Sequence, residues 1–434
     1  MSTSSQAPTS AKSKQAFYGW RMVIMLGLIF FVTGAIVFNT ATIANSYMKL
    51  DESMDISATV LGLGYSIYIL LQGITAPFIG RFGEKKGNFK ICFIAGTALC
   101  AVCAAVLALF LNNAVIYLLF FGLLMSIGTG LGGPVPIDAT VAYWFKRKRG
   151  LTMGIVLGVC CSGAILGPPI INGIYSITGS WQSLWWLLTG LSLVVFIISL
   201  FLYTRPSDYG QFPDGIDENS EAGLKIQESK VYKRKESLSF KEGIKSRNTW
   251  LIMMGGGIGQ FVYTFTVSFG MLHFMNLGFA ATAVTAALAA RGVGSTLGSF
   301  LPGFIADRLE PIKIMGIGIA ITGVLYFLGA TTNNEFIMFA FFAFTGWSIG
   351  SFKVLSPTAL ANWVGVDNFP RIYGYTLLVL AIVVSTIPIL AGMLFDVVGN
   401  YALAAQIIGG FCFAGAIACF VVRYPKKKTL EDSN

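Results

Sequence analysis

Gly80-Arg81-Phe82-Gly83-Glu84-Lys85-Lys86-Gly87 follows the second of twelve apolar runs, and Gly303-Phe304-Ile305-Ala306-Asp307-Arg308 closes the eighth. Each reads as the start of a loop and places a Gly four residues before an acid–base pair, 223 residues apart. A longer correspondence, Trp144 to Pro168 with Trp363 to Pro388, runs at nearly the same offset. The chain is therefore a duplicated unit of six runs. In such a duplication a binding site is expected between the halves, near the bilayer midplane.

The composition agrees. Hydrophobic residues make up 55% of the chain and charged residues 12%, against about 25% charged in a soluble domain. The apolar runs reach roughly 20 residues, enough to cross a ~30 Å hydrocarbon core as helices. They do not alternate polar and apolar, which excludes the strands of a membrane barrel. The expected spans are 18–41, 57–80, 89–110, 114–142, 150–175, 182–203, 249–272, 280–305, 313–331, 335–361, 371–395 and 400–423. The expected fold is thus an all-α membrane protein of twelve transmembrane helices in two pseudo-symmetric six-helix halves, 18–203 and 249–423. A cytoplasmic linker, 204–248, joins them, with short tails at 1–17 and 424–434.

The net charge of +10 reports topology rather than a nucleic-acid partner, because the basic residues crowd short loops. With the N-terminus in the cytoplasm, all 30 Lys and Arg except Lys49, Arg291 and Lys353 fall on the cytoplasmic side. This places the chain in the cell membrane with both termini inside. No short hydrophobic leader with a cleavage site follows the polar stretch Met1 to Gln15. The seven Cys all lie in apolar runs and read as buried small residues. Cys100-x-x-Cys103 has redox spacing but no βαβ context. His273 alone builds no metal site. No catalytic set, phosphate loop or zinc spacing is present, so no enzyme, cofactor or metal is expected. Energy should come from gradients, and the chain is expected to act as a monomer.

The repeated loop resembles the signature of the major facilitator superfamily, Gly-x-x-x-Asp-Arg-x-Gly followed by basic residues. Glu84 and Lys85 replace Asp-Arg in the first copy, and Glu310 replaces the final Gly in the second. The resemblance implies that Glu84, Asp307 and Arg308 form a conformational latch at cytoplasmic helix ends. A narrower resemblance covers the whole chain. Tyr18-Gly19-Trp20 is similar to the opening of the monocarboxylate transporter family. The run from Tyr143-Trp144-Phe145-Lys146-Arg147-Lys148-Arg149-Gly150-Leu151 to Gly154 is similar to that family and to the oxalate–formate antiporter, as is Arg371-x-Tyr373-Gly374 to the latter. Their charged site residues do not carry over. The transporter family's span 1 Lys falls on Phe38, and its span 8 Asp and Arg fall on Ser295 and Ser299. The antiporter's span 11 Lys falls on Leu380, and its span 10 Tyr falls on Lys353. Arg291 lies eight residues before Ser299, about 12 Å along a helix.

Arg291 and Lys353 are the two cations deep in apolar runs. A charge at the bilayer centre costs about 3 kcal/mol or more, so such charges usually face a cavity or a partner. Arg291 suits a carboxylate through its planar fork; the competing reading pairs it with Asp396. Lys353 either binds substrate or pairs with Asp138, which would then be a gate and the candidate proton-coupling acid. Tyr65, Tyr68 and Gln72 form a polar stripe on span 2. Gln260, Tyr263 and Thr264 sit on span 7 and Asn39 on span 1. Each is a candidate substrate contact or, more commonly, an interhelical hydrogen bond. Gly163 to Pro169 resembles part of the antiporter signature of drug exporters, though Gly and Pro also simply bend a helix. The expected function is secondary transport of a small mono- or dicarboxylate through proton symport or anion exchange, by alternating access. The alternatives are a proton-coupled drug exporter, which wants a buried acid, and a transporter-like receptor or sensor.

Overall fold

The computed structural model describes residues 17–48, 56, 58–86, 88–217, 231–234, 236–387, 394 and 397–424. Lys49, Lys235, Asp396, Lys426 to Lys428 and most of both tails lie outside the described residues. Among the described residues the regular structure is helical, as a bilayer demands where the backbone must satisfy its own polar groups.

The spans are α1 Gly19–Met48, α2 Ala58–Lys86, α3 Lys90–Phe110, α4 Ala114–Trp144, α5 Arg149–Thr178, α6 Gln182–Leu200, α7 Arg247–Asn276, α8 Ala281–Ala306, α9 Pro311–Gly329, α10 Glu335–Val364, α11 Phe369–Ser385 and α12 Ala402–Val421. Among the described residues, ten are long and apolar enough to cross a membrane. α8 is the exception by polarity, since Arg291 interrupts it among Gly, Ser and Thr. α11 is described as 17 residues to Ser385, and residues 388–393 beyond it lie outside the described residues.

Two helices outrun their apolar stretches. α1 continues past residue 41 to Met48 because its polar end is satisfied sideways: the Asn45 amide donates to the Tyr117 hydroxyl at 2.7 Å. α2 continues to Lys86, so Gly80 to Lys86 is helix and not loop. The linker is partly structured too, with turns at Pro206–Tyr209 and Pro213–Gly215 and a short helix, Phe240–Lys245, opened by a Ser239/Glu242 capping box.

Within the first half, α1 packs on α5, α2 on α4 and α3 on α6; within the second, α10 collects α7, α8 and α9, and α12 lies on α9. The principal contacts between halves are α2 with α11 and α5 with α8, which the duplication relates to each other. The first glycine of each repeat sits at one of these crossings. A methyl group on Gly80 would collide with the Pro370 carbonyl oxygen, and one on Gly303 would stand 2.6 Å from that of Gly150. Only glycine permits so close an approach.

Candidate functional site

One of the two central cations stacks on an aromatic ring, and the other lies within electrostatic reach of it. Arg291 of α8 holds its guanidinium 5.3 Å from the ring centre of Tyr263 on α7. Its Nη1 is buried and has no hydrogen-bond partner among the described residues. Stacking on a ring face recovers about 2 kcal/mol for a desolvated cation, which leaves the donor itself unspent. Lys353 of α10 lies within electrostatic reach of the same Tyr263, of Cys160 and Cys161, and of Asp138. The carboxylate expected to compete for Arg291, Asp396, is outside the described residues.

Asp138 owes its place to a break in α4. Gly133 is extended, and Pro134 starts a new helical segment in which Asp138 is the fifth residue. The Thr33 hydroxyl donates to the Gly132 carbonyl at 2.9 Å, satisfying an oxygen exposed by the break. Asp138 is buried and lies close to the side chain of Tyr373 on α11. Among the described residues it makes no salt bridge with Lys353, whose charge acts on it from further off. Tyr373 was visible in sequence only as part of Arg371-x-Tyr373-Gly374, which carried no role for it.

The polar residues of the first half turn toward one another. Tyr65 donates to Thr42 at 3.1 Å and accepts from Asn45 at 3.3 Å. Gln72 reaches Thr129 at 3.4 Å. Tyr68 is buried and stacks on Phe121 at 5.2 Å. Asn39 donates to the Gly163 carbonyl at 2.8 Å, holding α1 on α5. Gln260 lies on α7 one turn before Tyr263, partly exposed. The structure therefore brings Arg291 onto Tyr263, with Lys353 in electrostatic reach of both Tyr263 and Asp138. It leaves Asn39, Tyr65, Tyr68 and Gln72 with partners in their own half. His273 is likewise a satisfied buried residue, 3.0 Å from the Gly329 carbonyl.

At the end of the bundle that carries the linker, the halves are pinned together. The Asp307 carboxylate accepts from the backbone of Gly150 at 2.8 Å and Leu151 at 3.0 Å, the first turn of α5. A carboxylate there answers unpaired N–H groups and the helix dipole. Burial raises the Asp307 carboxyl above its ordinary value, and the two amides draw it back. Glu84, its counterpart, meets Arg371 at 3.6 Å instead. The reason is Pro370, which stands where the other half has Gly150 and offers no N–H. Arg308 lies over Phe304 at 5.1 Å and makes no salt bridge among the described residues. Sequence reasoning missed three further ties. Arg149 donates to Asn362 at 2.7 Å, Lys233 to the Lys146 carbonyl at 2.5 Å, and Arg234 to the Trp363 carbonyl at 2.9 Å. Their signal was the density of basic residues, which topology alone had explained.

The Major Facilitator Superfamily family model matches residues 22–280 and 249–434. A probable L-galactonate transporter of Escherichia coli (strain K12) is 23% identical over 436 residues, covering 93% of this chain and 90% of that protein. A class E tetracycline resistance protein of Escherichia coli is 25% identical over 282 residues, covering 64% of each. A solved structure of the E. coli fucose:proton symporter FucP superposes with a TM-score of 0.69 at 16% identity, covering 93% of this chain and 98% of that one. These relatives are similar in fold and diverse in cargo. The chain belongs to the Major Facilitator Superfamily and is a multi-pass membrane transporter rather than an enzyme.

Proposed function

We propose that the protein carries a small organic anion, a mono- or dicarboxylate, across the cell membrane by rocking its two halves about a central site. The observation that carries this reading is the buried, unpartnered Nη1 of Arg291, with Lys353 sharing its Tyr263 neighbour. A bidentate carboxylate would satisfy Arg291 at the point where the protein leaves it unsatisfied. The similarity of Tyr18-Gly19-Trp20 and the Tyr143 to Gly154 run to carboxylate-carrying groups points the same way, although the charged positions of those groups have moved here. So does the probable L-galactonate transporter, whose cargo is a carboxylate.

With the N-terminus in the cytoplasm, the pinned end is the cytoplasmic one, and the described conformation is closed on that side. The latch of Asp307, Glu84, Arg149 and Lys233 must then release for the substrate to leave inward. Asp138 is the group for proton coupling, since it is buried close to Tyr373 of α11 and within electrostatic reach of Lys353. The rival reading, a drug exporter, draws on the tetracycline resistance relative; two central cations with one shielded acid fit it less well. Uptake of a panel of radiolabelled carboxylates into proteoliposomes, with and without a pH gradient, tests the proposal. Saturable uptake of at least one carboxylate is expected. Asp138→Asn should remove the dependence on the gradient if protons are coupled; an unchanged pH dependence removes Asp138 from that role.

A further inference from the structure

The linker end holds a recess of about 460 Å³ that the central site does not use, lined among others by Tyr143, Arg205, Pro206, Phe212, Val366 and Asp367. Tyr143 is only 7% exposed, and its hydroxyl has no well-formed hydrogen bond among the described residues. The Arg205 guanidinium lies over the Tyr143 ring, 4.6 Å from its centre and within electrostatic reach of the hydroxyl; its own Nε is buried and unpartnered. Burying unsatisfied donors is costly, and here two of them, one cationic, belong to one recess. Pro206, Phe212 and Val366 supply apolar walls. Asp367 stands exposed at the rim, its carboxylate accepting from Ser237 at 2.8 Å. That negative charge disfavours a multiply charged anion and leaves room for a single carboxylate on a flat apolar body.

The recess is assembled from both halves. Tyr143 ends α4, and the segment from Arg205 to Pro213 is fixed to the first half. Gln211 accepts from the Tyr18 backbone at 3.0 Å, and Asp214 accepts from Lys146 and Arg147 at 2.9 and 2.7 Å. Val366 and Asp367 belong to the turn between α10 and α11. Rocking the halves apart at this end dismantles the pocket, so a ligand held there binds one conformation and shifts the population toward it.

We propose that this recess is a second ligand site, for a small aromatic monocarboxylate, whose occupancy holds the transporter shut at the linker end. The binding claim is independent of what the central site carries. Benzoate is the probe, titrated calorimetrically into the purified full-length protein and into Arg291→Gln, Arg205→Gln and Tyr143→Phe. Binding should survive in Arg291→Gln, weaken about tenfold or more in Arg205→Gln, and weaken several-fold in Tyr143→Phe, as expected for losing a charged and a neutral hydrogen bond. Tyr143→Phe keeps the ring beneath the guanidinium, so it remains informative if Arg205→Gln does not fold. Spin labels at Arg147→Cys in the first half and at Lys241→Cys on the short helix packed against the second half, both exposed, should shift toward the short distance when benzoate is added. No benzoate binding at all, binding lost only in Arg291→Gln, binding unchanged in both recess variants, or a distance distribution unmoved by saturating benzoate would each overturn the proposal.

Discussion

Arg291 keeps a guanidinium nitrogen unpaired in a setting where a lone charge is expensive, and its stacking on Tyr263 leaves that nitrogen free. Substituting Arg291→Gln removes the charge a carboxylate would meet. Losses for such desolvated pairs run about 2–5 kcal/mol, so affinity should fall by roughly 30-fold or more. Arg291→Lys should recover only part of it, since an ammonium cannot match a bidentate fork; ligand binding to both variants checks this. Lys233 offers a second test. Burial, and then the nearby Arg149 charge, pull its amine down from 10.5 to about 8. A Lys that is freely solvated once the latch opens returns toward 10.5. Between those values the closed form holds fewer protons than the open form, so raising the pH from about 8 toward 10.5 should favour closure. Lys233→Met should flatten that pH dependence in a distance measurement across the linker end.

The crossings of α2 with α11 and α5 with α8 depend on glycines and helix ends rather than on apolar bulk. Gly303→Val places side-chain atoms against the Gly150 carbonyl, so spin labels at Arg147→Cys and Lys241→Cys should shift toward longer distances in the variant. The two latches differ in chemistry and should differ in strength. Asp307→Ala strips a helix N-terminus of its acceptor, worth about 1 kcal/mol. Glu84→Ala breaks a partly exposed ion pair, typically worth less than about 1 kcal/mol. The closed fraction should therefore fall further in Asp307→Ala, as read by spin-label distances. Much of this was legible in sequence, because a repeated glycine before an acid marks a close approach followed by a helix-end contact. The helical course of Gly80 to Lys86 was not, since apolarity records where the bilayer ends and not where a helix does. Nor was the approach of Asp138 to Tyr373, which exists only once α4 has broken at Gly133 and α11 has packed beside it. The stripe of Tyr65, Tyr68 and Gln72 shows the same limit: polarity on an apolar helix does not distinguish a neighbouring helix from a ligand.

For the molecule as a whole, the duplication places two related crossings around a centre that holds two cations and one shielded acid, with one end bolted by the latch residues. Alternating access then amounts to exchanging that closure for one at the opposite end while the centre stays in place. The twelve-span, two-half design followed from the apolar runs and the repeat offset, but the cargo did not, because neither Arg291 nor Lys353 stands where related carriers keep their charges. The most direct test of an anionic cargo bound by Arg291 is carboxylate uptake by proteoliposomes of the wild-type protein beside those of Arg291→Gln. Saturable uptake in the wild type that is lost in Arg291→Gln is the predicted result; no uptake above empty vesicles across a broad carboxylate panel, or uptake that Arg291→Gln leaves intact, would contradict it.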